Sequence, residues 1–181
     1  MSKPEARTTA TRTIATTRLE NGKPKFVYVI YIASTVEKVW RALTDPKLTE
    51  QYWFGYRVSS DWKVGSSYSV EKDDVPPFDK GIVLECDPPH RLSYTWLPQY
   101  QEFLHEPQSR VTFELVALER QVQLTVIHDE FEVGSKVFEG ISGGWPKVLS
   151  SLKSLLETGH GLAPSWSDTD KQRMAAKRWR A

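Results

Sequence analysis

From Phe26 to Ala33 the chain reads FVYVIYIA, eight residues with no charged position and a high density of β-branched and aromatic side chains. So short a run of that composition predicts a strand buried on both faces. Ser34-Thr35-Val36-Glu37 then matches a capping box, and Val36, Val39, Trp40 and Leu43 follow at helical spacing. Asp45-Pro46 opens a second short helix, since proline at the first helical position gives up an N–H that has no partner there. That helix ends near Tyr52-Trp53-Phe54-Gly55. From Tyr56 to Glu132 the period becomes two: Tyr56/Val58/Ser60/Trp62, Tyr68/Val70, Ile82/Leu84/Cys86, Leu92/Tyr94/Trp96, Val111/Phe113/Leu115 and Val122/Leu124/Val126/His128. Turns are expected at Lys63-Val64-Gly65, Val75-Pro76-Pro77 and Asp87-Pro88-Pro89, which makes these antiparallel strands with one wet face. Past Gly134 the spacing is helical again, through Val137, Phe138, Ile141, Trp145, Val148, Leu149, Leu152, Leu155 and Leu156, until Gly159 and Gly161 stop it.

The expected order is strand, two helices, six strands and one long helix, an α+β chain with about seven strands. A sheet with one apolar face must cover it, and the last helix is the only element large enough, so the pattern predicts a curved antiparallel sheet wrapped around the C-terminal helix. The Thr-rich, basic residues 1–24, closing on Asn21-Gly22-Lys23-Pro24, read as a flexible tail. Residues 25–160 form the domain, and residues 161–181 a second basic tail.

A length of 181 residues suits one domain of this kind. The net charge of +1 changes meaning when divided along the chain. Residues 1–25 hold six Lys/Arg against two acids and residues 171–181 hold five against none, which leaves 13 bases and 21 acids between them. The domain itself is acidic, which argues against nucleic-acid binding by it and confines any electrostatic arm to the tails. No apolar run approaches the ~20 residues of a membrane-spanning helix, and no secretory leader pattern opens the chain. A cytoplasmic protein is expected. Cys86 is the only cysteine, which excludes an internal disulfide framework and Cys-pair metal or redox motifs.

Candidate chemistry is sparse. Gly140-Ile141-Ser142-Gly143-Gly144 fits G-x-S-x-G, but a nucleophile elbow needs a strand before the serine, and here the preceding pattern is helical. The same glycines, with Pro146 removing the hydrogen bond to the Ser142 carbonyl, predict a kink or break near 143–146. That leaves either an open interior or close helix-to-sheet packing. Trp62, Tyr94, Trp96, Ile141 and Trp145 fall on inward phases and would wall a pocket, with His128 as its polar group. Three readings of His128 stay open: a ligand contact, a general base, or satisfaction by Asp129 or Glu130. His90, His105, His128 and Cys86 lack metal-ligand spacing, and no phosphate-binding glycine motif occurs. Neither metal nor cofactor is expected, and no residue is assigned as catalytic.

Several segments occur in order at familiar spacing: YVIYIASTVEKVWRALTDPKLTEQYWFG, DWKVGSSY, GIVLECDPPHRLSYTW, SRVTFEL, HDEF and ISGGWPKVLSSLKSLLETG. Over about residues 25–160 the chain resembles the START-like (SRPBCC) superfamily, in its branch homologous to the activator of the Hsp90 ATPase. The resemblance implies a helix-grip fold with a cavity between sheet and C-terminal helix. It also implies a partner, either a hydrophobic small molecule or an Hsp90-type chaperone. The leading expectation is binding of a hydrophobic or aromatic ligand in that cavity. The alternatives are a chaperone-ATPase activator and a cavity enzyme of cyclase or hydrolase type with His128 as base, the balance leaning away from an enzyme.

Overall fold

A computed structural model describes residues 16–20, 22–103 and 105–163; residues 1–15 and the basic stretch from 164 onward lie outside the described residues. The elements are β1 (Thr16–Glu20), β2 (Lys23–Ile32), α1 (Val36–Thr44), α2 (Pro46–Tyr52), β3 (Arg57–Ser60), β4 (Ser67–Lys72), β5 (Val75–Asp87), β6 (Arg91–Pro98), β7 (Ser109–Ala117), β8 (Val122–Asp129) and α3 (Lys136–Thr158). They form one antiparallel sheet in the order β1-β2-β8-β7-β6-β5-β4-β3. β2 and β3 lie toward opposite edges, so α1 and α2 carry the chain across the inward face, and α3 returns over it. This is the expected α+β helix-grip arrangement.

An eighth strand joins the seven expected ones. β1 lies within the stretch read as a tail and pairs with β2 from Thr16↔Val27 to Glu20↔Lys23. The Asn-Gly dipeptide taken as the tail's end is a hairpin signal, and Gly22 adopts the left-handed φ of 79° that such a turn uses. The first helix is capped one residue later than expected: Thr35, not Ser34, accepts from the Lys38 N–H. Asp45 and Pro46 open α2 as expected, with the Asp45 carboxylate accepting from the Lys47 N–H at 2.9 Å.

β5 departs most from the expected pattern. Val75-Pro76-Pro77 belongs to the strand, the turn falling at Asp73-Asp74 with Lys72 paired to Val75. Its inward phase is also the opposite of the one expected: Asp79, Gly81 and Val83 are buried, while Ile82 and Leu84 are exposed. Two features hide this from a hydrophobicity count. The inward positions include an acid and a glycine, and a register shift between Val83 and Glu85 resets the alternation before the half-buried Cys86. Gly81 is required where it stands, because a Cβ there would lie 2.3 Å from the Thr95 carbonyl oxygen and 2.6 Å from the Tyr68 ring.

α3 is tied down at both ends. Ser135 caps its start and donates to the Glu106 carboxylate, which also accepts from the Lys136 N–H at 2.8 Å. At the other end the Glu157 carboxylate accepts from the Ala33 N–H at 2.7 Å, and Gly159 closes the helix in the left-handed conformation. Of the kink or break expected near 143–146, the break does not occur, since α3 continues through Pro146. Nor do the glycines serve close packing: a Cβ at Gly140, Gly143 or Gly144 would meet nothing within 4 Å. Val137, Trp145, Val148, Leu149, Leu152 and Leu155 form the buried face of the helix.

Candidate functional site

Four of the six residues expected to line the site come together between sheet and helix. Trp145 of α3 lies 5.7 Å, ring centre to ring centre, from Trp96 of β6 and 6.3 Å from His128 of β8. Tyr94, two residues before Trp96 on the same strand face, lies 6.5 Å from it. The other two stand at partly covered positions. Ile141, one turn before Trp145, packs half-buried against the core. Trp62 lies beyond the end of β3 in a left-handed conformation, φ 57°. Its indole N–H donates to the Thr44 carbonyl at 2.9 Å, and its ring sits 6.5 Å from Tyr94. Trp53, at the end of α2, completes the wall at 5.5 Å from Trp145 and 6.3 Å from Trp96. In the sequence pattern it marks only a helix terminus.

His128 is fully buried, and its hydrogen bonds determine its chemistry. The Trp145 indole N–H donates to Nδ1 at 3.1 Å, and an indole nitrogen can only donate. The ring proton therefore sits on Nε2 and is given to the Ser109 Oγ, 2.9 Å away. A hydrolytic histidine has the reverse polarity, with a carboxylate accepting at one nitrogen and a lone pair facing the serine. Ser109 is thus not activated, and burial holds the imidazole well below its usual pKa, in the neutral form. Asp129 and Glu130 do not satisfy His128; both pair with Arg110, at 3.0 Å each.

A polar cluster that the pattern reading missed lies in the same interior. Asp79 is wholly buried and accepts from the Tyr68 hydroxyl at 2.5 Å and from the Leu97 N–H at 3.3 Å. The Tyr68 ring lies 4.4 Å from Tyr94. Burial, and then Asp79, hold the Tyr68 hydroxyl protonated far above neutrality; burial, Tyr52 and Asp79 do the same for Tyr94. Tyr52, at the end of α2, is 1% exposed, and its hydroxyl has no hydrogen-bond partner. The available signal was Gly81, two residues after Asp79 and opposite Tyr68: a glycine inside a strand marks a close approach.

The rings fill the space between sheet and helix. Two cavities open instead on the outer face of the sheet, one of about 470 Å³ floored by Tyr68 and Gly81, the other of about 280 Å³ between Arg91 and Arg110. Both arginines already hold carboxylates, Arg91 those of Glu85 and Glu114. Among the described residues no group of three or more His, Cys, Asp or Glu side chains is placed to hold a metal ion. No described helix is long and apolar enough to cross a membrane.

Comparison with known proteins bears on this architecture. The family model described as Activator of Hsp90 ATPase homolog 1-like protein matches residues 33–157. No curated protein matches the chain. Among solved structures the chain is similar to MLL2253 from Mesorhizobium loti, at 28% identity and a TM-score of 0.64 over 73% of this chain and 96% of that one. It is also similar to PFC0360w, an Hsp90 activator from Plasmodium falciparum, at 21% identity and a TM-score of 0.63 over 75% and 96%. CalU16 from Micromonospora echinospora aligns at 20% identity and a TM-score of 0.62 over 76% and 78%. At these identities the last two likenesses concern the fold alone.

Proposed function

The chain belongs to the Activator of Hsp90 ATPase homolog 1-like family, and from that premise we propose that it binds a hydrophobic or aromatic small molecule between the sheet and α3. The observation that carries this reading is the Tyr52 hydroxyl, buried without a partner among aromatic rings. Leaving such a group unpaired costs about 1–3 kcal/mol, and buried polar groups without partners are rare enough to need a reason. A ligand oxygen would supply the missing bond, while Trp53, Trp96 and Trp145 would contribute apolar contact worth about 25 cal/mol per Å² removed from water. Because the rings fill the interior of the free chain, entry requires one to move. Trp62 is placed to do so: it is half-buried, covers Tyr94, and adopts a left-handed backbone that costs a bulky residue about 1–2 kcal/mol. The test is a titration of the full chain with naphthalene and 2-naphthol, followed by tryptophan fluorescence and thermal unfolding. Saturable quenching with a raised melting temperature is expected; an unchanged spectrum and melting curve at saturating probe would refute the reading.

A second reading rests on a different surface. Val29 and Tyr31 on β2 and Val116 and Leu118 at the β7–β8 hairpin are exposed at one end of the outer face, with Tyr31 and Val116 flanking Gln123. Together with the family's name, this apolar group supports contact with an Hsp90-type chaperone. Stimulation of the chaperone's ATPase that Tyr31→Glu abolishes would favour it, and no stimulation by the unaltered chain would remove it. A cavity enzyme with His128 as base finds no support in the tautomer that Trp145 imposes.

A further inference from the structure

We propose that the interior site discriminates by charge, taking neutral aromatic molecules that carry a hydroxyl or carbonyl oxygen and rejecting the corresponding carboxylates; this rests on the binding reading above. Three observations carry it. The first is the unpaired Tyr52 hydroxyl, 1% exposed, which both donates and accepts and so suits a neutral oxygen. The second is the kind of polar group that the interior holds. Tyr68 donates to Asp79 at 2.5 Å and its ring contacts Tyr94 at 4.4 Å, so the polar end of the interior consists of phenols and one buried carboxyl group. The third is what the interior lacks. Among the described residues no lysine or arginine is buried, and the buried histidine, His128, is held neutral by Trp145 and Ser109.

An anionic ligand would therefore lose its hydration with no cation to receive it, in an interior that already holds a buried acid. Isolated charges transferred to such surroundings are strongly disfavoured. A neutral hydroxyl or carbonyl meets the need of the Tyr52 hydroxyl.

The experiment compares naphthalene, 2-naphthol and 2-naphthoate on the full chain near neutral pH by tryptophan fluorescence, then repeats the series on Tyr52→Phe. Binding of 2-naphthol at least tenfold tighter than of 2-naphthoate is expected. Tyr52→Phe should weaken 2-naphthol about tenfold and leave naphthalene within twofold. Naphthoate binding as tightly as naphthol would overturn the charge inference while the pocket reading stands. An equal loss for naphthalene and naphthol in Tyr52→Phe would give Tyr52 a structural role only and overturn it as well. Failure of all three compounds to bind would overturn the pocket reading, and the inference with it. Because Tyr52→Phe removes only one oxygen from a site that hydrogen-bonds nothing, the variant folds, and the ligand series on the unaltered chain decides the question independently.

Discussion

Tyr52 and His128 are both wholly buried polar side chains, but only His128 has partners. Tyr52→Phe removes an oxygen that hydrogen-bonds nothing in the free protein, so it should stabilise the chain by about 1 kcal/mol. In a chain of this length that is a rise of roughly 2–4 °C in melting temperature; a fall would mean the hydroxyl is satisfied in solution. His128 makes stability depend on pH. Above the ordinary histidine pKa of about 6.5 both folded and unfolded chains carry neutral imidazole. Below it the unfolded chain takes up a proton that the folded chain, with its pKa pushed well down by burial, refuses. Stability is therefore fully present above about 6.5 and declines as pH falls toward the folded value, by up to about 1.4 kcal/mol per pH unit. Glutamine can accept from Trp145 and donate to Ser109 without titrating. Urea midpoints at pH 7 and pH 5 should accordingly fall further for the unaltered chain than for His128→Gln, and parallel declines would remove His128 as the source. None of this pairing was legible beforehand. Periodicity put His128, Trp96 and Trp145 on the inward side, but hydrogen-bond polarity depends on positions far apart in sequence.

Two glycines on different elements have opposite requirements. Gly81 in β5 leaves room for Tyr68 and the Thr95 carbonyl, so Gly81→Ala forces backbone apart and should destabilise by about 1–3 kcal/mol, as overpacking does. Gly143 in α3 is exposed and its Cβ would enter open space, so Gly143→Ala should stabilise by up to about 1 kcal/mol through helix propensity alone. Chemical denaturation of the two variants checks both signs. The contrast also explains which elements could be read from the pattern. α2 carried strong local signals, Asp45 as cap and Pro46 at the first position, and α3 a long apolar face ended by Gly159. β6, β7 and β8 alternate cleanly because their inward positions are apolar or aromatic apart from Ser109 and His128, which bond each other. β5 misled because its inward face holds Asp79 and Gly81, whose placement only the opposing Tyr68 explains. β1 was hidden for a related reason: Thr-Thr-Arg-Leu-Glu has little apolar alternation, and its strand exists through pairing with β2.

Across the whole molecule the charge and the aromatic rings are segregated. Described lysines and arginines stand at exposed or half-buried positions, many paired with carboxylates, and the interior gathers tryptophans, tyrosines and one buried acid. The net charge of +1 conceals an acidic domain between basic ends. The family relationship and the helix-grip architecture agree with the order of elements read from the pattern, and of the two forms of interior that the pattern leaves open the buried rings favour the closely packed one. It is packed with rings, and the orphan Tyr52 hydroxyl is the trace that points to a guest. The most direct test of that claim is a crystal structure of the chain grown with 6-bromo-2-naphthol, with the bromine located by its anomalous signal. The account predicts bromine among Trp53, Trp96 and Trp145, with the naphthol oxygen in hydrogen-bond contact with Tyr52 and Trp62 displaced. Bromine confined to the outer-face grooves, or absent from crystals at saturating compound, would contradict it.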